Sequence, residues 1–184
     1  MPGVHLNDEG ISQARFLAHA LKEKFVLSEI ISSPLERTLE TATPIAEAQQ
    51  AAVTIDERIT EVDVGLWTGK SFSELADLEE WHKFNRHRST TLLPGGESML
   101  DVQARAWRAI DDAIARHSQT EGSTIAFVTH GDVVRGLLLL ILGMSIDHIH
   151  RLDISPASVT ELWVGPHGTA VRNMNQLLHP NPKQ

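Results

Sequence analysis

Residues 123–144 read Ser-Thr-Ile-Ala-Phe-Val-Thr-His-Gly-Asp-Val-Val-Arg-Gly-Leu-Leu-Leu-Leu-Ile-Leu-Gly-Met, and they admit few folds. Ile125 to Val128 is a short apolar, β-rich run, the pattern of a strand buried on both faces. Thr129-His130-Gly131 interrupts it. An apolar helical segment follows to about Leu142, where Gly143 supplies a C-terminal stop. His130 therefore stands where a strand hands over to a helix, and in an open α/β sheet that is the carboxyl edge, where ligands bind. Gly131 lets the backbone approach a ligand closely, and the N–H groups that open the helix favour an anion. Thr129 and Asp132 are candidate caps of that helix, and His130 has a capping or packing role as its alternative.

The rest of the chain alternates in the same way. Asn7 is a good N-cap, Asp8 and Glu9 suit a first turn, and Ile11, Ala14, Leu17, Ala18 and Leu21 make a helical stripe to about Lys24. Glu29 to Ser32 and Val53 to Ile55 read as short strands. Between them Ser33-Pro34 opens a helix from Leu35 to Gln49, which Pro44 should kink or restart. Residues 61–71 are rich in turn signals and hard to assign. Phe72 to His87 reads as one helix, Thr90 to Gly96 as a loop, and Ser98 to His117 as a long helix. Beyond the central unit, Asp147 to Arg151 makes one helical turn. Ser158 to Val164 and Thr169 to Asn175 make a hairpin, and His179 to Gln184 is expected to be a flexible tail. Strands alternating with helices predict a three-layer α/β/α sandwich, a single domain over residues 1–178 with an insertion or lid at about 71–98.

Composition narrows the function classes. A formal charge of −8 argues against a general nucleic-acid binder, so a phosphorylated ligand would need a local cluster of Arg and His. With no cysteine there is no disulfide, no thiolate catalysis and no zinc–sulfur site, which suits a cytoplasmic protein. The longest apolar run, Leu137 to Leu142, falls far short of the roughly 20 residues that cross a bilayer, so no membrane association is expected. The ten histidines include no His-Glu-x-x-His and no ligand pair on one helical face, so no metal is expected. Gly65 to Ser71 is similar to a P-loop but has three residues between its glycines where that loop has four.

Four stretches place polar residues in turns or at strand-to-helix junctions. Arg37 falls in the first turn of its helix, where a cation is mildly unfavourable unless it faces an anion; a surface salt bridge is the alternative. Glu61 lies in a glycine-flanked turn, where a carboxyl group with a raised pKa can donate a proton. His130 is the third. The fourth, Gly95-Gly96-Glu97-Ser98, is explained by the start of a helix. Trp81, Phe84, Arg86 and Arg88 are candidates to line the insertion or simply to pack. Arg135 could point at the site or at Asp132.

In order, Ser-Ser-Pro-Leu-Glu-Arg-Thr-Leu-Glu-Thr-Ala, Glu-Val-Asp-Val-Gly-Leu-Trp-Thr-Gly, Pro-Gly-Gly-Glu-Ser and Val-Thr-His-Gly-Asp-Val-Val-Arg resemble the histidine phosphatase superfamily. The likeness is to its metal-independent phosphoglycerate-mutase-like and α-ribazole-phosphatase-like branch, over about Leu6 to Val164. The resemblance implies a phosphomonoester phosphatase or mutase acting through a phosphohistidine on a small phosphorylated metabolite, without a cofactor. It implies that Arg37 grips the phosphoryl group with Gly131 beside it, that Glu61 is the general acid, and that His130 stabilises charge on the transferring group. The oligomeric state is left open, a homodimer included.

The family's nucleophilic histidine lies in an Arg-His-Gly motif at the end of a first, central strand. These 184 residues contain no Arg-His-Gly. Arg86-His87 and Arg116-His117 stand in polar helical context, and His5 precedes the first helix. The expectation is therefore a truncated chain, inactive or nearly so, whose sheet lacks its first central strand and shows an unpaired edge. A non-catalytic phosphate-ligand-binding or interaction protein of the same fold is the alternative.

Overall fold

The computed structural model describes residues 2–120 and 122–178, so the expected tail at 179–184 lies outside the described residues. The first helix, α1 (Asp8–Lys24), is capped by Asn7, whose side chain accepts from the Gly10 N–H at 2.8 Å. Its stripe buries Ala14, Leu17, Ala18 and Leu21, while Ile11 at its start remains 39% exposed. Strand β1 (Glu29–Ser32) is followed by α2 (Glu36–Gln49), which continues through Pro44 to Gln50 in the left-handed region. Strand β2 (Val53–Ile55) leads into 3-10 turns at Glu57–Ile59 and Gly65–Trp67, the second within the turn-rich stretch 61–71.

The single helix expected over 72–87 is two, α3 (Phe72–Leu75) and α4 (Glu79–Arg86). The Leu78 N–H bonds the Leu75 carbonyl and Leu78 turns extended, which lets α4 present Trp81 and Phe84 to Trp67. Helix α5 (Met99–Arg116) starts in a reciprocal Ser98–Asp101 capping box. Strand β3 (Ile125–Val128), α6 (Gly131–Ile141) and a 3-10 turn at Ile146–Arg151 follow, and the chain closes in the hairpin β4 (Ser158–Gly165) and β5 (Gly168–Leu177).

The main sheet is parallel in the order β2-β1-β3, with Ile30 opposite Val53 on one side and Ala126 on the other. Alternation along β1 builds the layers. Ile30 packs with Leu17, Leu21, Ala42 and Ile45 of α1 and α2, whereas Ile31 packs with Ala109 and Ala113 of α5. A third cluster joins α5 and α6 to Trp67, Leu75, Phe84 and Leu93 of the 67–93 segment.

The expectation of a strand buried on both faces fits β1 rather than β3. Ile30, Ile31 and Ser32 are all but inaccessible, while all four residues of β3 are only half-buried. The reason is at the edge. Among the described residues β3 pairs with β1 alone, and β4 and β5 form a separate antiparallel pair.

Candidate active site

Parallel strands deliver their carboxyl ends side by side, and the three candidate side chains arrive on three adjacent ends. Arg37 is the second residue of α2, just past the Ser33-Pro34 turn that ends β1. Glu61 follows β2 and the 3-10 turn that Asp56 caps by accepting from the Arg58 N–H at 2.9 Å. His130 follows β3 and is itself the backbone N-cap of α6, so Gly131 opens the helix. Glu61 Oε2 lies 3.9 Å from His130 Nδ1, and the charge of Arg37 acts on both. The opposite ring nitrogen, His130 Nε2, lies 2.8 Å from Ser33 Oγ.

Burial decides the protonation states. His130 is 5% exposed, and loss of solvent, reinforced by the Arg37 charge, takes its pKa from the ordinary 6.5 down to about 3. Burial raises the pKa of Glu61, the Asp132 carboxylate adds to the rise, and the Val62 N–H and Arg37 oppose it. Since His130 is uncharged down to about pH 3, its 3.9 Å approach to Glu61 is not an ion pair, and the upward shift of the Glu61 pKa suits a proton donor. A neutral histidine, a reluctant acid, a nearby guanidinium and the N–H groups opening an eleven-residue helix suit an oxyanion.

A clasp holds the Glu61 loop. Arg105 of α5 binds Glu97 with Nε to Oε2 at 2.9 Å and Nη2 to Oε1 at 2.7 Å, and Nη1 and Nη2 also donate to the carbonyls of Arg58 and Glu61. Glu97 Oε1 accepts from the Asp63 N–H at 2.9 Å. Gly65 and Gly96 let the two loops touch: a Cβ on Gly65, at φ +55°, would fall 2.3 Å from the Pro94 carbonyl oxygen. Glu97 thus does more than precede a helix. Arg105 was missed altogether, because a spacing of eight residues along the chain carries no pairing signal. Beside the clasp a cleft of about 450 Å³ is lined by Pro34, Glu57, Thr60, Glu61, Asp63 and Glu97, among others.

Of the other candidates, Thr129 does not cap α6; its hydroxyl donates to the Ile59 carbonyl at 2.6 Å, tying β3 to the turn before Glu61. Asp132 receives Arg88 at 3.1 Å and Arg135 at 2.9 Å, which settles the direction of Arg135. Arg88 lies over the Phe84 ring, and Ser89 binds Asp147 through its N–H and hydroxyl, so these bonds tie the 71–98 segment to α6 and the turn beyond it. Trp81 and Phe84 pack on Trp67, and Arg86 is exposed. The His5 ring is bonded to Glu40 of α2.

Known proteins resemble this chain in sequence and fold. The family model of the histidine phosphatase superfamily (branch 1) matches residues 1–177. The chain belongs to that superfamily. It is 32% identical over 174 residues to a bifunctional protein of Mycobacterium tuberculosis, covering 93% of this chain and 47% of that protein. It is 28% identical over 176 residues to phosphoserine phosphatase 1 of Hydrogenobacter thermophilus, covering 95% of this chain and 82% of that enzyme. The chain thus spans about half the length of the mycobacterial relative and most of the phosphatase. The structure of YhfR from Bacillus stearothermophilus superposes with a TM-score of 0.85 at 29% identity, covering 93% of this chain and 84% of that one. The phosphoglycerate-mutase-like α/β fold of the superfamily is therefore the fold of this chain. No helix among the described residues is long and apolar enough to cross a membrane.

Proposed function

We propose that the site where Arg37, Glu61 and His130 converge holds the phosphoryl group of a small phosphomonoester and transfers it through a phosphohistidine, as a phosphatase. The observation that carries the reading is the convergence of Arg37, Glu61 and His130 from segments beyond the carboxyl ends of three strands, with Glu61 Oε2 3.9 Å from His130 Nδ1. Arg37 neutralises the phosphoryl oxygens. His130 and the Gly131 N–H donate to the oxygens on which charge builds in the transition state. A histidine nitrogen attacks phosphorus, the P–O bond to the leaving group breaks, and that oxygen takes the proton of Glu61. Water then gives a proton to Glu61, attacks phosphorus and releases phosphate and free imidazole. The phosphoserine phosphatase relative supports a metabolite of that size and charge.

The nucleophile is the open part. With no Arg-His-Gly in these 184 residues, we propose that it arrives on a strand seated along the free edge of β3, next to His130, and that the 184 residues alone do not turn over. The missing motif also favours a second reading, a phosphate-ligand-binding protein without catalysis. Hydrolysis of an aryl phosphate separates them. The expected result is no turnover by residues 1–184, and turnover once a strand ending in Arg-His-Gly is added, abolished by His130→Ala. Turnover by residues 1–184 that disappears in His130→Ala would contradict the strand requirement. Inactivity of the extended protein would favour the binding reading.

A further inference from the structure

Ser33 is not among the residues assigned above to the phosphoryl group, yet it makes the closest contact to His130. Both are buried, Ser33 fully and His130 to 5% exposure, and Oγ lies 2.8 Å from Nε2. The serine has little freedom to be elsewhere. Its N–H donates to the Val128 carbonyl at 3.0 Å, and its carbonyl accepts the Thr38 hydroxyl at 3.0 Å and the Ser32 hydroxyl at 2.9 Å. This fixes the turn between β1 and α2 against the end of β3.

The direction of the Ser33–His130 bond follows from counting protons. A hydroxyl has one proton to donate and two lone pairs to accept with, and a neutral imidazole has one N–H and one bare nitrogen. Ser33 Oγ already accepts from the Leu35 N–H at 3.4 Å. If Nε2 carried the ring proton, Ser33 Oγ would receive two donors, and its own proton would have no acceptor among the described residues. A buried donor left without a partner is strongly disfavoured, because it gives up its bond to water for nothing. If Nε2 is bare, the Ser33 proton goes to it and both members of the pair are satisfied, while the Nδ1–H stands 3.9 Å from Glu61 Oε2, too far for a hydrogen bond, and is left to meet a ligand. The ring proton is then on Nδ1, the nitrogen that faces Glu61 Oε2.

We propose that Ser33 is a positioning residue: its hydroxyl donates to His130 Nε2, holds the imidazole as the Nδ1–H tautomer, and so aims a hydrogen-bond donor at the phosphoryl group. This rests on the reading of His130 as a phosphoryl contact. Without Ser33 the ring can place its proton on either nitrogen, and a ring with bare Nδ1 would turn a lone pair toward an anion.

The test is long-range 1H–15N NMR of the 184-residue protein labelled at histidine, with the His130 signals assigned by their loss in His130→Gln. The wild-type protein should show protonated Nδ1 and bare Nε2, unchanged from pH 8 to pH 5. In Ser33→Ala the two forms should mix, and the affinity for orthophosphate should fall several-fold. A protonated Nε2 in the wild-type protein overturns the proposal, and that result does not depend on whether Ser33→Ala folds. Unchanged tautomer and affinity in Ser33→Ala, with affinity lost in His130→Gln, overturns the role of Ser33 alone. Unchanged affinity in His130→Gln overturns the phosphoryl reading itself and with it this use of the tautomer.

Discussion

Replacing Arg105 by alanine should cost stability well beyond a surface substitution. The side chain makes a two-pronged bond to Glu97, with both partners about one fifth exposed (21% each), and it donates to the carbonyls of Arg58 and Glu61. Exposed ion pairs contribute roughly 0–1 kcal/mol, and breaking a buried pair costs roughly 3–5 kcal/mol. The intermediate exposure discounts the buried figure, and Glu97 keeps its bond to the Asp63 N–H, so about 3 kcal/mol is expected. For a domain of this size each kcal/mol lowers Tm by roughly 2–4 °C, which gives a fall of roughly 6–12 °C by circular dichroism. Arg105→Lys keeps the charge but loses the fork, and should lie about half-way. The His130 pKa should also rise in Arg105→Ala, because the guanidinium charge helps to depress it. A Tm within about 2 °C of wild type would refute the clasp, since that is under 1 kcal/mol.

Gly65→Ala should cost more than about 3 kcal/mol in urea unfolding, because it adds left-handed strain to a Cβ 2.3 Å from the Pro94 oxygen. A loss below 1 kcal/mol would mean the two loops separate easily. His130, neutral when folded down to about pH 3 but charged below 6.5 when unfolded, binds fewer protons in the folded state. Its contribution is therefore fully present above pH 6.5 and is lost as pH falls toward 3. His130→Gln should remove roughly 2–4 kcal/mol of that acid-side loss, read from unfolding free energies between pH 7 and pH 4. Identical pH slopes would contradict the burial argument.

What could be read from the sequence was whatever has a local cause. Asn7 and Ser98 mark helix starts through side-chain caps and Gly143 a helix end through its positive φ, and β2 and β3 coincide with their short β-rich runs. The three converging residues were legible because each stands next to a strand-to-helix junction or a glycine turn. The break between α3 and α4 was not, since it arises from Trp81 and Phe84 reaching Trp67 across the fold. Nor were Arg105, which finds Glu97 eight residues away and carbonyls more than forty away, or Thr129 and Ser33, whose partners lie 70 and 97 residues away; packing chooses all of these. Arg88, a candidate to line the insertion or to pack, packs over Phe84 and pairs with Asp132.

Calorimetric titration of residues 1–184 with orthophosphate tests the central claim without waiting for a nucleophile. Weak binding is expected, since Arg37 and His130 supply only part of a phosphoryl site. A bond to a charged group is worth about 1.5–3 kcal/mol, and 1.4 kcal/mol is a factor of ten in Kd. Arg37→Ala and His130→Ala should each therefore weaken binding by about tenfold or more. Equal affinity in wild type and Arg37→Ala would show that the convergence of Arg37, Glu61 and His130 does not make a phosphate site.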